Sequence, residues 1–284
     1  MRVSRVTAGM LVTALIAGAV LVSGCAGKVA VTPMKPKVAP PVVVKAGELT
    51  VAVDTSYPPF ASKTGEEKVG WDIDVAAAIA DRLGLKLVLV EAKSAAAAKL
   101  LAARKVDIVL GDITIARALD LDVAFAGSYT SDAPAVFASK GATLSPDALG
   151  GKRIAVQKGS EAYWQLADTY GEQALTLYPS LREAMTAVAA GQADVVAGDA
   201  IVGGYMLRDF PKLVLAGQVA LASPVGAGVS KSTPKLEEAV RRALDEMSAQ
   251  GVLTTLRRKW VGDLAQLKSP GGEASASVNV APAP

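Results

Sequence analysis

Val106 to Tyr129, VDIVLGDITIARALDLDVAFAGSY, decides how the rest of the chain is read. Val106 to Leu110 is a short apolar run that closes on Gly111, the pattern of a buried strand. Gly111, Asp112, Ile113 and Thr114 follow at its C-terminal end. In open α/β sheets, ligands sit in the crevice outside those ends. Phe125 to Tyr129 then carries an aromatic pair toward the next segment.

Upstream, Leu49 to Val53 reads as a strand, and Asp54-Thr55-Ser56-Tyr57-Pro58-Pro59-Phe60 is the loop at its end. The prolines stiffen that loop and hold Tyr57 and Phe60 in place. A plain turn with two core aromatics is the alternative. Asp72 reads as an N-cap, with Asp74 in the first turn of a helix reaching Leu83 and ended by Gly84. Leu87 to Val90 is the next strand, and Ser94 to Arg104 an alanine-rich helix.

Downstream, Ala135 to Ser139 and Ile154 to Gln157 read as strands. Gly159-Ser160-Glu161 opens a helix through Tyr170. Free N–H groups at a helix start suit an anion, although an ordinary Ser160 cap explains the same residues. Ser180 to Ala190 is an amphipathic helix. The turn and strand from Gly191 to Ala197 end on Gly198-Asp199-Ala200, where an acid at a strand's end is often an N-cap. Gly226 to Ser230 is a further strand, followed by helices at Lys235 to Met247 and Val252 to Trp260.

The 284 residues suffice for two modest domains or one large one, and 51% are hydrophobic. Thirty basic against 27 acidic side chains give a net charge of +3, too small and too evenly spread for nucleic acid. Histidine is absent and there is one cysteine, which disfavours metal sites, triads and disulfides. Residues 1–24 pair Arg2 and Arg5 with an apolar run and read as a secretion signal, a transmembrane anchor being the alternative. Residues 25–46, with Pro33, Pro36, Pro40 and Pro41, are expected to form a tether. Residues 268–284 are expected to be a disordered tail.

The central stretch resembles the extracytoplasmic solute-binding proteins that deliver polar amino acids to ABC importers. There the pattern is roughly D-A-[IV]-[IV]-x-[GS]-x-[ST]-I-T-x-x-R, followed by D-F-S-x-P-Y. Asp107, Ile113, Thr114, Ile115, Phe125 and Tyr129 fall on it, but Leu119 holds the arginine position and Arg117 sits two residues early. Asp54 to Phe60 resembles the same family's D-x-x-Y-P-P-F. Ser145 to Val156 is similar to its passage between lobes, and Gly251, Leu256, Lys259 and Trp260 to its C-terminal pattern. Val22-Ser23-Gly24-Cys25 resembles a lipobox, in which Cys25 receives diacylglycerol.

The resemblance implies an α/β protein of the two-lobed periplasmic-binding-protein type II fold. Each lobe would be a mostly parallel sheet flanked by helices, joined by two hinge strands. Lobe one is expected over residues 47–138, lobe two over 139–223, with a return to lobe one over 224–267. It implies ligand contacts from Asp54, Tyr57, Phe60, Gly111, Asp112, Thr114, Arg117, Ser160, Glu161 and Asp199. Among these, the start of the Ser160 helix would hold a ligand carboxylate and Asp199 its α-ammonium. The expected protein is a monomeric, lipid-anchored, extracytoplasmic partner of an ABC permease, with no cofactor or metal, capturing an amino acid or related nitrogenous solute by lobe closure. Leu119 in place of arginine, among several acids, points to a cationic or zwitterionic ligand and away from glutamate. Two other classes stay open. A cyclohexadienyl-dehydratase-like enzyme would use Glu161 or Asp199 as its acid. A sensor domain ranks below it, because no kinase or cyclase region follows.

Overall fold

The strand of Leu49 opens the fold. The computed structural model describes residues 35–142 and 146–269; Cys25, the signal segment and most of the expected tail lie outside them. In β1 (Glu48–Val53) a period of two sorts the side chains. Leu49, Val51 and Val53 join one core cluster, and Ala52 another. The hairpin β2 (Ser62–Thr64) and β3 (Glu67–Val69) leads into α1 (Trp71–Leu83). That helix lays Val75, Ala76, Ile79 and Leu83 on the first face. After β4 (Lys86–Glu91), α2 (Ser94–Ala102) sets Ala97 and Leu101 on the second. β5 (Ile108–Thr114), α3 (Ile115–Asp120) and β6 (Ala124–Asp132) complete this pass through lobe one.

The chain then builds lobe two. β7 (Pro134–Ser139), β8 (Ile154–Gln157), α4 (Glu161–Tyr170), β9 (Leu175–Tyr178), α5 (Leu181–Ala189), β10 (Val195–Asp199), α6 (Ala200–Met206) and β11 (Leu213–Gln218) follow in order. Ala162, Tyr163 and Leu166 of α4 cover one face; Leu181, Met185 and Ile201 cover the other. β12 (Ser223–Val229) returns to lobe one, and α7 (Pro234–Ala249) and α8 (Val252–Val261) close the described chain.

The two sheets have strand orders β4-β1-β5-β12-β6 and β11-β7-β10-β8-β9. Strands joined through helical crossovers run parallel: β4, β1 and β5 in one sheet, β10, β8 and β9 in the other. The antiparallel members are β12 and β7, each at a passage between lobes, so both sheets are mixed. The two passages run side by side. Ser223 pairs with Asp132, and Val219 N–H donates to the Pro134 carbonyl at 2.8 Å.

Four expectations change here. Ala138 lies inside β7 of the second sheet, so the first passage comes earlier, at Ala133. Proline at 134 starts a strand without needing a ladder N–H there, which lets the chain change sheets at that point. Gly111 to Thr114, expected just after the strand, belongs to it, because β12 pairs with it as far as Thr114. Part of the expected tether is seated on lobe one: Val43 is 1% exposed and Val44 N–H donates to Asp107 Oδ1 at 2.7 Å. Lys37 N–H reaches the Leu83 carbonyl at 2.9 Å. Val42 and Val43 supply the apolar surface that a free linker would lack. Asp72 does not cap α1, whose N-cap position is Gly70 and whose start has no side-chain cap.

Candidate functional site

Lobe one contributes a wall of stacked aromatic rings. Asp54, just beyond β1, accepts from Ser56 N–H at 3.0 Å and Ser56 Oγ at 2.6 Å, which closes the loop on itself. Tyr57 stacks on Phe60 with centroids 5.5 Å apart, and Phe60 on Trp71 at 6.2 Å. Trp71 meets Tyr129 edge-on at 6.2 Å. Phe60 and Trp71 are wholly buried, while Tyr57 is only partly so. Phe60 therefore backs Tyr57 and presents no surface to a solute, contrary to its expected contact role.

The start of α1 explains why Asp72 is free for other use. Trp71 N–H and Asp72 N–H donate to the carbonyls of Pro59 and Phe60, both at 2.9 Å. The loop thus satisfies helix donors that a side-chain cap would otherwise take. Only glycine fits at position 70, where a Cβ would stand 2.1 Å from the Phe60 carbonyl oxygen. The Asp72 side chain turns inward instead and accepts a hydrogen bond from the Tyr129 hydroxyl. Burial raises its pKa to about 7, with the Tyr129 bond opposing. Its Oδ2 has no hydrogen-bond partner among the described residues, as suits an acid that keeps its proton. Asp74 is the acid with partners on α8: Lys259 Nζ at 2.6 Å and Trp260 Nε1 at 2.7 Å.

Lobe two contributes charge. Asp199 ends β10 and holds the N-cap position of α6 without capping it. Its Oδ2 instead accepts from the Tyr57 hydroxyl at 3.0 Å, across 142 positions of sequence. Burial pushes its pKa up and the Tyr57 bond pulls it down. Glu161 is the first residue of α4 and retains solvent exposure. Burial raises its pKa, and the charge of Asp199 raises it further, so the two carboxylates share one electrostatic neighbourhood. Ser160 caps α4, its Oγ accepting from Tyr163 N–H at 3.1 Å. The capping alternative thus has its geometry, and that hydroxyl is committed to the helix.

Tyr57 and Asp199 are therefore brought together, and Glu161 feels the charge of Asp199. Gly111, with φ +124°, has open space where a Cβ would stand. Thr114 is the partly exposed last residue of β5. Asp112 lies on β5 and Arg117 on α3. Leu119, in the same helix, is 70% exposed and fills no core.

Sequence reasoning missed one supporting acid, Asp132, and gave no role to another, Asp107, which it had placed on the family pattern. Asp132 Oδ1 accepts from Ala133 N–H at 2.7 Å and from Ile201 N–H at 3.0 Å, fastening the first passage to α6 beside Asp199. Asp107 accepts from Val44 N–H and, at 2.8 Å, from Thr50 N–H, fastening β1 to the segment before it. An acid directly before Ala-Pro at a change of sheet was the available signal for Asp132.

The profile of the bacterial extracellular solute-binding proteins, family 3, matches residues 49–263. ABC transporter arginine-binding protein 1 of Escherichia coli (strain K12) is 26% identical over 221 residues, covering 76% of this chain and 91% of that protein. The lysine/arginine/ornithine-binding periplasmic protein of the same strain is 25% identical over 223 residues, covering 74% and 86%. Among solved structures, an ancestral cationic amino acid solute-binding protein superposes with a TM-score of 0.68 at 27% identity, covering 76% of this chain and 96% of that one.

Proposed function

Starting from the fact that this chain belongs to family 3 of the bacterial extracellular solute-binding proteins, we propose that it captures a cationic nitrogenous solute between its lobes. Its relatives serve amino-acid ABC transporters in the periplasm, and this chain is an extracytoplasmic binding subunit of that kind. The observation that carries the cationic reading is the 3.0 Å bond from Tyr57 of lobe one to Asp199 of lobe two, with Glu161 beside Asp199. An ammonium or guanidinium group placed there donates charge-assisted hydrogen bonds to Asp199, which the Tyr57 hydroxyl already holds in position. Closure onto such a group supplies the state that the membrane subunits read. The names of the relatives, which bind arginine, lysine and ornithine, support a ligand of this charge.

Calorimetry on arginine, lysine, a polyamine and glutamate tests the reading. Saturable binding of at least one cation, with glutamate silent, is expected. Tight glutamate binding with no response to any cation overturns it. In this reading the site performs no chemistry; turnover of a cyclohexadienyl acid by the purified protein would assign Glu161 or Asp199 an acid's role instead. The monomeric, lipid-anchored state is part of the same proposal, with Cys25 carrying the acyl chains. Cys25→Ser should leave unprocessed precursor in cells. Normal cleavage of that variant, with soluble partitioning of the wild type, removes the anchor from the proposal.

A further inference from the structure

The described chain does not end on lobe one. α8 belongs there, tied to α1 where Asp74 accepts from Lys259 Nζ at 2.6 Å and Trp260 Nε1 at 2.7 Å. Beyond the C-cap of α8 at Gly262, residues 263–268 cross to lobe two. Leu264 is 9% exposed and lies against Gly204 of α6, where an added Cβ would stand 2.8 Å from its Cδ2. Lys268 N–H donates to Oε1 of Gln218, the last residue of β11, at 2.6 Å. The Lys268 carbonyl accepts from Gln218 Nε2 at 3.2 Å and from Ala222 N–H, directly before β12, at 2.8 Å. Two arginines hold the crossing at its start. Arg257 of α8 donates to the carbonyls of Leu264 and Ala265 at 2.6 and 3.1 Å. Arg208, just after α6, donates to the Trp260 carbonyl at 2.9 Å.

We infer that residues 263–268 are a strap, a third connection between the lobes that holds them where Tyr57 reaches Asp199 and so presets the cleft for its solute. Two strands side by side form a hinge about which lobes swing. An attachment made on α6 as well as on the second passage restrains that swing. The strap is bordered by a cavity of about 510 Å³ against α6 and β11, and by one of about 150 Å³ against Ser128 to Ser131 of β6. It therefore acts through a few bonds and one seated side chain, not as part of a packed core. A cleft held near its binding arrangement takes less from the ligand's binding energy. Apparent affinity falls with the fraction of molecules in that arrangement.

Gln218→Ala, Leu264→Ala and the double variant, each in the mature chain, test the strap by small-angle scattering and by calorimetry on arginine. Without ligand, the double variant should have a larger radius of gyration than the wild type. With arginine at saturation the two radii should coincide, and arginine should bind about three- to tenfold more weakly in the variant. Gln218→Ala, which removes only a partly buried side chain, should show the same changes to a smaller degree in a protein that folds normally. Ligand-free radii equal to that of the wild type in both single variants and the double variant overturn the inference, whatever happens to affinity. The affinity readout rests on the cationic reading of the cleft and the ligand-free scattering does not. Failure of every protein, wild type included, to bind arginine counts against that reading, while the ligand-free radii still decide the strap.

Discussion

Lobe one and lobe two approach the cleft with different materials. Lobe one presents the end of a buried aromatic column, Tyr57 on Phe60 on Trp71, closed from below by Tyr129 and Asp72. Lobe two presents two ionisable ends, Glu161 at the start of a helix and Asp199 at the end of a strand. The first wall is held by packing, with one buried acid, Asp72, beneath it. The second is held by charge and responds to pH and to ligand. Stability and recognition are thus separable here: substitutions deep in lobe one should unfold, and substitutions at the edge of lobe two should unbind.

The largest effect is expected from a truncation of the column. Trp71 is wholly buried between Phe60 and Tyr129, so Trp71→Ala removes a large ring from a packed site. It should cost about 3–5 kcal/mol of unfolding free energy in a denaturant titration. Trp164→Ala, on the exposed face of α4, should stay within about 0.5 kcal/mol. Equal losses at the two tryptophans would erase the distinction between a packed lobe-one wall and an open lobe-two rim.

Next in size is the acid under the column. Asp72 has its folded-state pKa raised from 3.8 to about 7. A raised carboxyl favours the protonated folded state. Its full contribution is therefore present below about pH 4 and is lost as pH rises through about 7. The shift corresponds to at most about 4 kcal/mol. Unfolding free energies measured across this window should decline with rising pH in the wild type beyond what Asp72→Asn shows. Parallel profiles for the two proteins would mean that Asp72 is ionised and solvated in the folded state.

At the cleft edge the readout changes from stability to affinity. Asp199→Asn keeps shape and removes charge, so binding of the better cation of an arginine–agmatine pair should weaken by about 1.5–3 kcal/mol, ten- to a hundredfold. The thermal midpoint without ligand should hardly fall, since burial works against the charged form of Asp199. A folding defect as large as that of Trp71→Ala would make Asp199 a structural residue and transfer recognition elsewhere.

The fold was legible wherever a period and a stop signal coincided. Leu49 to Val53 alternates between the two sides of its sheet, and α1 ends at Gly84, which takes the left-handed conformation that stops a helix. What could not be read was pairing. Nothing within Gly111 to Thr114 shows that β12 will extend the strand, because the partner lies more than a hundred positions away. The same limit governed the site. Tyr57 and Asp199 were each readable as strand-end residues, but their meeting depends on how two lobes are set against each other. Phe60 and Asp72 went the other way. Their residue types allow surface roles, and only the docking of α1 on the Pro59 and Phe60 carbonyls turns one into core and the other into a buried acid.

The smallest expected effect falls on the bond from Tyr57 to Asp199, where the two materials touch. Tyr57→Phe keeps the ring that stacks on Phe60 at 5.5 Å and deletes the hydroxyl that donates to Asp199. Stability and neutral-pH affinity should each change by about 1 kcal/mol or less, since a single hydrogen bond is worth about that much. The informative change is in pH dependence. The hydroxyl lowers the pKa of Asp199 against the upward push of burial. Without it, Asp199 takes up a proton at higher pH and loses its attraction for a cation sooner as the solution is acidified. Affinity for agmatine or arginine, titrated from about pH 8 down to about pH 5, should therefore begin to fall at a higher pH in Tyr57→Phe than in the wild type. Glu161 titrates in the same neighbourhood, so the comparison should be repeated with Glu161→Gln in both proteins. A displaced profile in that background ties the shift to Asp199. Superposable profiles, with affinity lost equally at every pH, would show that Tyr57 touches the ligand directly and that the lobe-one wall takes part in recognition.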